Sequence, residues 1–246
     1  MNKPLQDRIA LVTGASRGIG FAVAKALARE GAHLVAVART VGGLEELDDA
    51  IRKDGGSTTL VPVDLADFEG LARLGAALNE RYGKLDVLVG NAGVLGPTSP
   101  LGHIELKQWT DVMTVNVTAN FQLIRCMEPL LRNADAGRAV FISSGAASNA
   151  RAYIGPYATS KAALEVLVRT WAAELATTNM RANLFNPGPI RTRMRASLMP
   201  GEDPMTLDTP EQVAELVVPM CLASWTENGR LYNYPTRSLL SFRPPA

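Results

Sequence analysis

Several things are scarce in this chain, and each scarcity excludes something. Of 246 residues only two are cysteines, Cys126 and Cys221, and only two are histidines, His33 and His103. With no CxxC pair and no HExxH stretch, no transition-metal centre is expected. The cysteines stand far apart in apolar stretches of helical character and read as reduced core thiols. Aromatic residues make up 6% of the chain, leaving few platforms on which bases could stack. Charge of one sign is missing as well: 25 Lys and Arg against 24 Asp and Glu give a net charge of +1. That balance excludes a protein whose main task is to coat nucleic acid or an acidic membrane. The longest uncharged run, 87–104, holds four glycines, Pro97 and Pro100 and cannot cross a bilayer as a helix. Near the start, Lys3 and Arg8 precede only residues 9–12 as an apolar stretch, too short for a secretory signal core. The expected location is cytoplasmic. No stretch rich in Pro, Ser or charge divides the chain, so residues 1–246 are read as one domain.

What is present is a regular alternation. Hydrophobic residues are 47% and charged residues 20%, the balance of a globular protein. Strand-length apolar runs fall at 8–12, 33–38, 59–63, 85–89, 138–143, 181–185 and 231–234. Helical periodicity falls at 41–53, 67–82, 105–131, 156–178 and 210–223. An earlier helix carries Ile19, Ala22, Val23, Ala26 and Leu27 on one face and closes at Gly31. This pattern predicts an α/β fold: a doubly wound parallel sheet of about seven strands with helices on both faces. In such a sheet ligands sit beyond the carboxyl ends of the strands, so residues just after each strand carry most of the functional reading.

The first predicted strand runs into Thr13-Gly14-Ala15-Ser16-Arg17-Gly18-Ile19-Gly20. Glycines permit a tight turn and close approach of a pyrophosphate, and the helix that follows offers free N–H groups and a positive dipole end. After later strands come Asp64, Asn91-Ala92-Gly93, Ser144 and Pro187-Gly188 with Thr192; Asn116 lies in the long helix, and Tyr157 and Lys161 are four residues apart, on one helical face. In this order and spacing, from residue 8 to about 192, the chain resembles the short-chain dehydrogenase/reductases in their compact form.

The resemblance implies a Rossmann-like fold and a nicotinamide cofactor. It places on that cofactor Gly14, Ser16, Arg17, Gly18, Ile19, Gly20, Asp64, Leu65, Asn91, Ala92, Gly93, Tyr157, Lys161, Pro187, Gly188, Ile190 and Thr192. Asp64 would accept from the adenine amino group and Asn91 would line the ribose. Gly90 stands where many relatives have a second asparagine. The second strand ends Val37-Ala38-Arg39-Thr40, without the carboxylate that usually accepts from the ribose of NAD. Arg39 can fork onto a 2′-phosphate, and Arg17 can join it, so NADP(H) is expected over NAD(H).

Catalysis is expected from Asn116, Ser144, Tyr157 and Lys161. A free phenol, with a pKa of about 10, is a poor base, and a neighbouring ammonium and the oxidised nicotinamide should lower it. Tyr157 would then protonate a carbonyl oxygen that Ser144 holds, the alcohol oxidation being the reverse path. Lys161 would also bind the nicotinamide ribose. Asn116 would hold a water linking Lys161 to solvent. Spacing favours Ser144, thirteen residues before Tyr157, over Ser143.

Around the reacting carbonyl, residues 189–209 are expected to form a mobile lid. Met194, Leu198 and Met199, with Tyr153 and Ile154, suggest an apolar pocket. Arg191, Arg193 and Arg195 alternate in the lid, either solvated or meeting an anionic substrate group. Reduction of 3-oxoacyl chains on acyl carrier protein is one family activity, but the places where such relatives carry basic residues hold Asp135 and Thr178. A cofactor-sensing protein without turnover is the alternative of another class. The carboxyl end departs from the family with Tyr232-Asn233-Tyr234-Pro235 and a tail 238–246 containing Pro244-Pro245. A homodimer or homotetramer is expected, with no nucleic-acid or membrane partner.

Overall fold

In the computed structural model, which describes residues 3–242, strand alternation sorts the core into two layers. The central strand β1 (Ile9–Thr13) sends Ala10 and Val12 to one face and Leu11 to the other; β2 (His33–Ala38) divides Leu34 and Ala36 from Val35 and Val37 in the same way. The sheet is completed by β3 (Ser57–Pro62), β4 (Val87–Gly90), β5 (Arg138–Ile142), β6 (Arg181–Asn186), β7 (Leu231–Asn233) and β8 (Ser238–Leu240). Their spatial order is β3-β2-β1-β4-β5-β6-β7-β8. All neighbours are parallel except β7 and β8.

The expected doubly wound sheet is present, with eight strands among the described residues, the last antiparallel. Part of the predicted tail folds back as β8, while Pro244-Pro245 lie outside the described residues.

Helices α1 (Gly18–Arg29) and α2 (Val41–Lys53) cover one face; α3 (Phe68–Tyr82) lies on the other. Asp67 caps α3 by accepting from Gly70 N at 2.8 Å, and Gly83 ends it in the left-handed region at φ +67°. The single helix predicted over 105–131 is corrected to α4 (Leu106–Met113), a π-helical turn at Thr114–Thr118, and α5 (Ala119–Arg132). Next come the short α6 (Ala146–Asn149) and the long α7 (Gly155–Glu174), then α8 (Arg193–Leu198) and α9 (Pro210–Met220). Helix α9 joins α1 and α2, whereas α5 and α7 join α3. No helix among the described residues is long and apolar enough to cross a membrane.

The order reverses at β1, whose neighbours β2 and β4 lead to opposite halves of the sheet. The crevice beyond the carboxyl ends of β1 and β4 is the topological switch point, where α/β sheets bind their ligands.

Candidate active site

The turn after β1 is built to admit a ligand against bare backbone. Gly14 has φ +65°, which a side chain resists, and a Cβ on Gly20 would lie 2.3 Å from the Gly14 oxygen and 2.4 Å from Asn91 Nδ2. The buried Thr13 hydroxyl accepts from the N–H groups of Asn91 (3.0 Å) and Ala92 (3.1 Å), joining the ends of β1 and β4. Asn91 Nδ2 donates to the Thr13 carbonyl at 2.9 Å. Asn91 lines the cavity, and its amide braces the glycine turn. Helix α1 starts after Arg17 with no side-chain cap, so its first N–H groups are left for an anion. Gly90, the departure from the family pattern, has a physical cause. A Cβ there would lie 2.3 Å from Cδ1 of Phe141 on β5, whose ring fills the place.

A cavity of about 560 Å³ runs from this turn to the end of β5. Every expected catalytic and cofactor-binding residue lines it except Gly20 and Asn116. At one end Arg39 and Asp64 pair, Nη1 to Oδ2, at 3.6 Å. At the other, Tyr157 and Lys161 of α7 meet Ser144. No acidic, histidine or cysteine cluster that could hold a metal occurs among the described residues.

Tyr157 is 9% exposed. Burial pushes its phenol above the ordinary value, opposed by the Ser144 hydroxyl. In the chain alone, desolvation of the phenolate dominates and opposes the lowering expected from the ammonium and the oxidised nicotinamide. Lys161 Nζ lies 5.8 Å from the centre of the tyrosine ring and donates to the Ile142 carbonyl at 2.7 Å. Burial pushes its ammonium down to about 8. Ser144 Oγ accepts from Ala146 N at 3.2 Å, leaving its proton to donate into the cavity.

Asn116 sits in the π-helical turn, fully buried. Its Oδ1 accepts from Val94 N (2.8 Å), and Nδ2 donates to the Val94 carbonyl (2.9 Å) and to Ser160 Oγ (2.9 Å). Ser160 in turn donates to the Tyr157 carbonyl at 2.8 Å. With both amide protons engaged, Asn116 ties the loop after β4 to α7 near its start.

Side-chain bonds cross the segment expected to form the lid. Arg195 forks onto Glu202 through two bonds of 2.5 Å, and Arg191 donates to the carbonyls of Pro204 (2.8 Å) and Leu207 (3.1 Å). Two of the three lid arginines therefore hold the lid itself together. Arg193, exposed, lines the cavity. Met194 and Leu198 line it too, but Tyr153 and Ile154 do not. Tyr153 is exposed at φ +70°, and Ile154 packs beneath Tyr157 with Ala146, Leu95 and Leu198.

Three contributions were missed in the sequence: the bracing hydroxyl of Thr13, the buried pair Ser143–Glu165 bonded at 2.6 Å, and Tyr234, whose hydroxyl donates to Asp208 at the far end of the lid (2.9 Å). Only Thr13 had a local signal, as the residue before the glycine turn. The other two join residues 22 and 26 positions apart.

Comparison with known proteins agrees with this geometry. The sequence profile described as short chain dehydrogenase matches residues 8–203. The uncharacterised oxidoreductase YciK of Escherichia coli K12 is 39% identical over 215 residues, covering 86% of this chain and 85% of that one. The 2,3-dihydro-2,3-dihydroxybenzoate dehydrogenase of Bacillus subtilis is 33% identical over 201 residues, covering 82% and 77%. A short chain dehydrogenase from Shigella flexneri 2a, solved in complex with NADP, superposes with a TM-score of 0.91 at 36% identity, covering 96% of this chain and all of that one. One from Escherichia coli CFT073, in complex with NADPH, gives 0.89 at 36% identity, covering 95% and 99%.

Proposed function

Since this chain belongs to the short-chain dehydrogenase family and is an oxidoreductase, we propose that it reduces the carbonyl group of a largely apolar small molecule at the expense of NADPH. The observation that carries this reading is the single cavity that joins the glycine turn and Arg39 at one end to Tyr157, Lys161 and Ser144 at the other.

The fit to a dinucleotide rests on the bare turn at Gly14 and Gly20, the uncapped start of α1 and the cations Arg17 and Arg39. Gly18, Asp64, Asn91, Pro187, Gly188 and Thr192 would line it. Bound NADPH would supply the hydride. The chain's own residues then handle the oxygen. Ser144 donates a hydrogen bond to the carbonyl oxygen, polarising it, and Tyr157 delivers the proton. Lys161, an ammonium beside the ring, favours the phenolate that remains. Asn116 keeps this group in place by fixing the start of α7. Met194, Leu198 and Leu95 offer the substrate an apolar wall.

Reduction of carrier-bound 3-oxoacyl chains has less support, because Asp135 pairs with Arg8 and Thr178 Oγ1 donates to the Leu175 carbonyl, so neither place presents a free cation. We also read the protein as a cytoplasmic homodimer or homotetramer. Free Cys126 and Cys221 and the exposed Phe121 and Val166 of α5 and α7 support that, and sedimentation would test the assembly.

The test of function is NADPH oxidation with a panel of carbonyls: an acetoacetyl thioester, butane-2,3-dione, benzaldehyde and a bulky cyclic ketone. Turnover of at least one, lost in Tyr157→Phe while NADPH still binds, supports the reading. NADPH binding without oxidation by any member favours a sensing protein, and undiminished turnover by Tyr157→Phe removes the mechanism.

A further inference from the structure

Three residues of α7 spaced four apart, Tyr157, Lys161 and Glu165, address three consecutive residues at the end of β5. Tyr157 faces the Ser144 hydroxyl. Lys161 donates to the carbonyl of Ile142 at 2.7 Å. Glu165 Oε1 accepts from the hydroxyl of Ser143 at 2.6 Å. Successive turns of the helix thus grip the short segment that presents Ser144.

Glu165 has no role in the chemistry proposed above, yet it is only 8% exposed, in a place where an unbonded carboxyl is expensive. The cations acting on it, Lys161 and Arg169, lie one turn to either side on its own helix, and the strand contributes only the Ser143 hydroxyl. Ser143 is itself buried, and its N–H donates to the Phe185 carbonyl at 2.8 Å, which anchors its backbone to β6. Its hydroxyl proton, engaged by Glu165, is not free for a substrate. Strand β5 ends at Ile142, and the chain passes from Ser143 through Ser144 to the turn at Gly145 that opens α6.

We propose that Glu165 is a positioning residue: by holding the Ser143 hydroxyl it fixes the direction in which the chain leaves β5, and so the place of the Ser144 hydroxyl relative to Tyr157. This rests on the carbonyl-reductase reading of the same site. An acceptor oxygen is what the role requires, and glutamine keeps one.

The experiment compares Glu165→Ala, Glu165→Gln, Ser143→Ala and the double variant E165A/S143A, with Tyr157→Phe as control, using the panel carbonyl that the unmodified protein reduces fastest. Steady-state kcat and KM, NADPH affinity by fluorescence and thermal midpoints are measured together. Glu165→Ala and Ser143→Ala should each lower kcat roughly ten- to hundredfold, the range expected of a small misplacement of a catalytic group. NADPH affinity should stay within about twofold, Glu165→Gln should retain most of kcat, and the double variant should be no worse than either single one, as for two halves of one contact. The proposal is overturned by normal kcat in Glu165→Ala, by equal loss in Glu165→Gln, or by parallel loss of NADPH affinity. Should Glu165→Ala fail to fold, Ser143→Ala and Glu165→Gln decide on the same criteria. Inactive Tyr157→Phe beside a normal Glu165→Ala overturns this proposal alone, whereas an active Tyr157→Phe overturns it together with the reading on which it rests.

Discussion

Arg39 and Asp64 face each other at the end of the cleft, guanidinium to carboxylate at 3.6 Å, with side chains 61% and 48% exposed. So open a pair contributes at most about 1 kcal/mol, and a phosphate that accepts two guanidinium bonds can take Arg39 from it. Arg39→Ser should therefore lower kcat/KM for NADPH about tenfold or more, since charge-assisted hydrogen bonds are worth about 1.5–3 kcal/mol, and leave that for NADH nearly unchanged. Equal loss with both cofactors would remove Arg39 as the source of preference.

Lys161 leaves a signature in stability. Below pH 8 the folded chain keeps a buried cation that the unfolded chain would solvate. Between about 8 and the ordinary 10.5 the folded chain sheds that proton first, so stability rises with pH relative to a chain without this lysine. Measured against Lys161→Met, the unmodified protein should gain on the order of 3 kcal/mol from pH 7 to pH 10.5. Denaturant titrations of both proteins across that range check it, and a constant difference would contradict it.

Glu202 tests the lid. Its bidentate contact with Arg195 closes the segment around α8. In Glu202→Gln one charge is lost, and KM for the carbonyl substrate should rise about three- to tenfold as the lid opens more often, while NADPH affinity changes little. Trypsin should cut faster after Arg191, Arg193 or Arg195. An unchanged cleavage rate would show that the pair does not hold the lid.

Gly90→Asn restores the residue common in the family, yet should destabilise this protein. The Phe141 ring occupies the space, and overpacking of this kind costs about 1–3 kcal/mol. Urea unfolding measures the loss, and combining the change with Phe141→Ala should make the asparagine better tolerated than it is alone. Full stability of Gly90→Asn would place the ring elsewhere.

How much of this was legible in the sequence depends on the range of the forces involved. The glycine turn, its helix and the Tyr157–Lys161 spacing are local, and they stand where the pattern put them. The break at Thr114–Thr118 was not legible, because what accompanies it is a pair of bonds from Asn116 to Val94, 22 residues away. Residues 238–240 are too few for any period to announce a strand. Spacing brought Lys161 beside Tyr157 but carried no measure of burial, which pushes the phenol up in the chain alone. The lid arginines looked like a free basic stripe because Glu202 and the backbone carbonyls that engage two of them are set by the lid's own folding.

At the amino-terminal ends of the strands, opposite the cleft, Arg138 is buried and donates to the carbonyls of Gly137, Asn179, Leu222 and Ala223. Arg181 does the same with those of Thr178, Met180 and Thr226. Both joints recognise main chain and no side chain. At Asn179, Leu222 and Ala223 a change of side chain leaves these bonds in place as long as the loop's path persists, whereas at Gly137 a Cβ would lie 2.5 Å from the Leu131 carbonyl oxygen. A family that keeps these two arginines can diverge at the first three of these positions and still hold the same floor beneath the cleft.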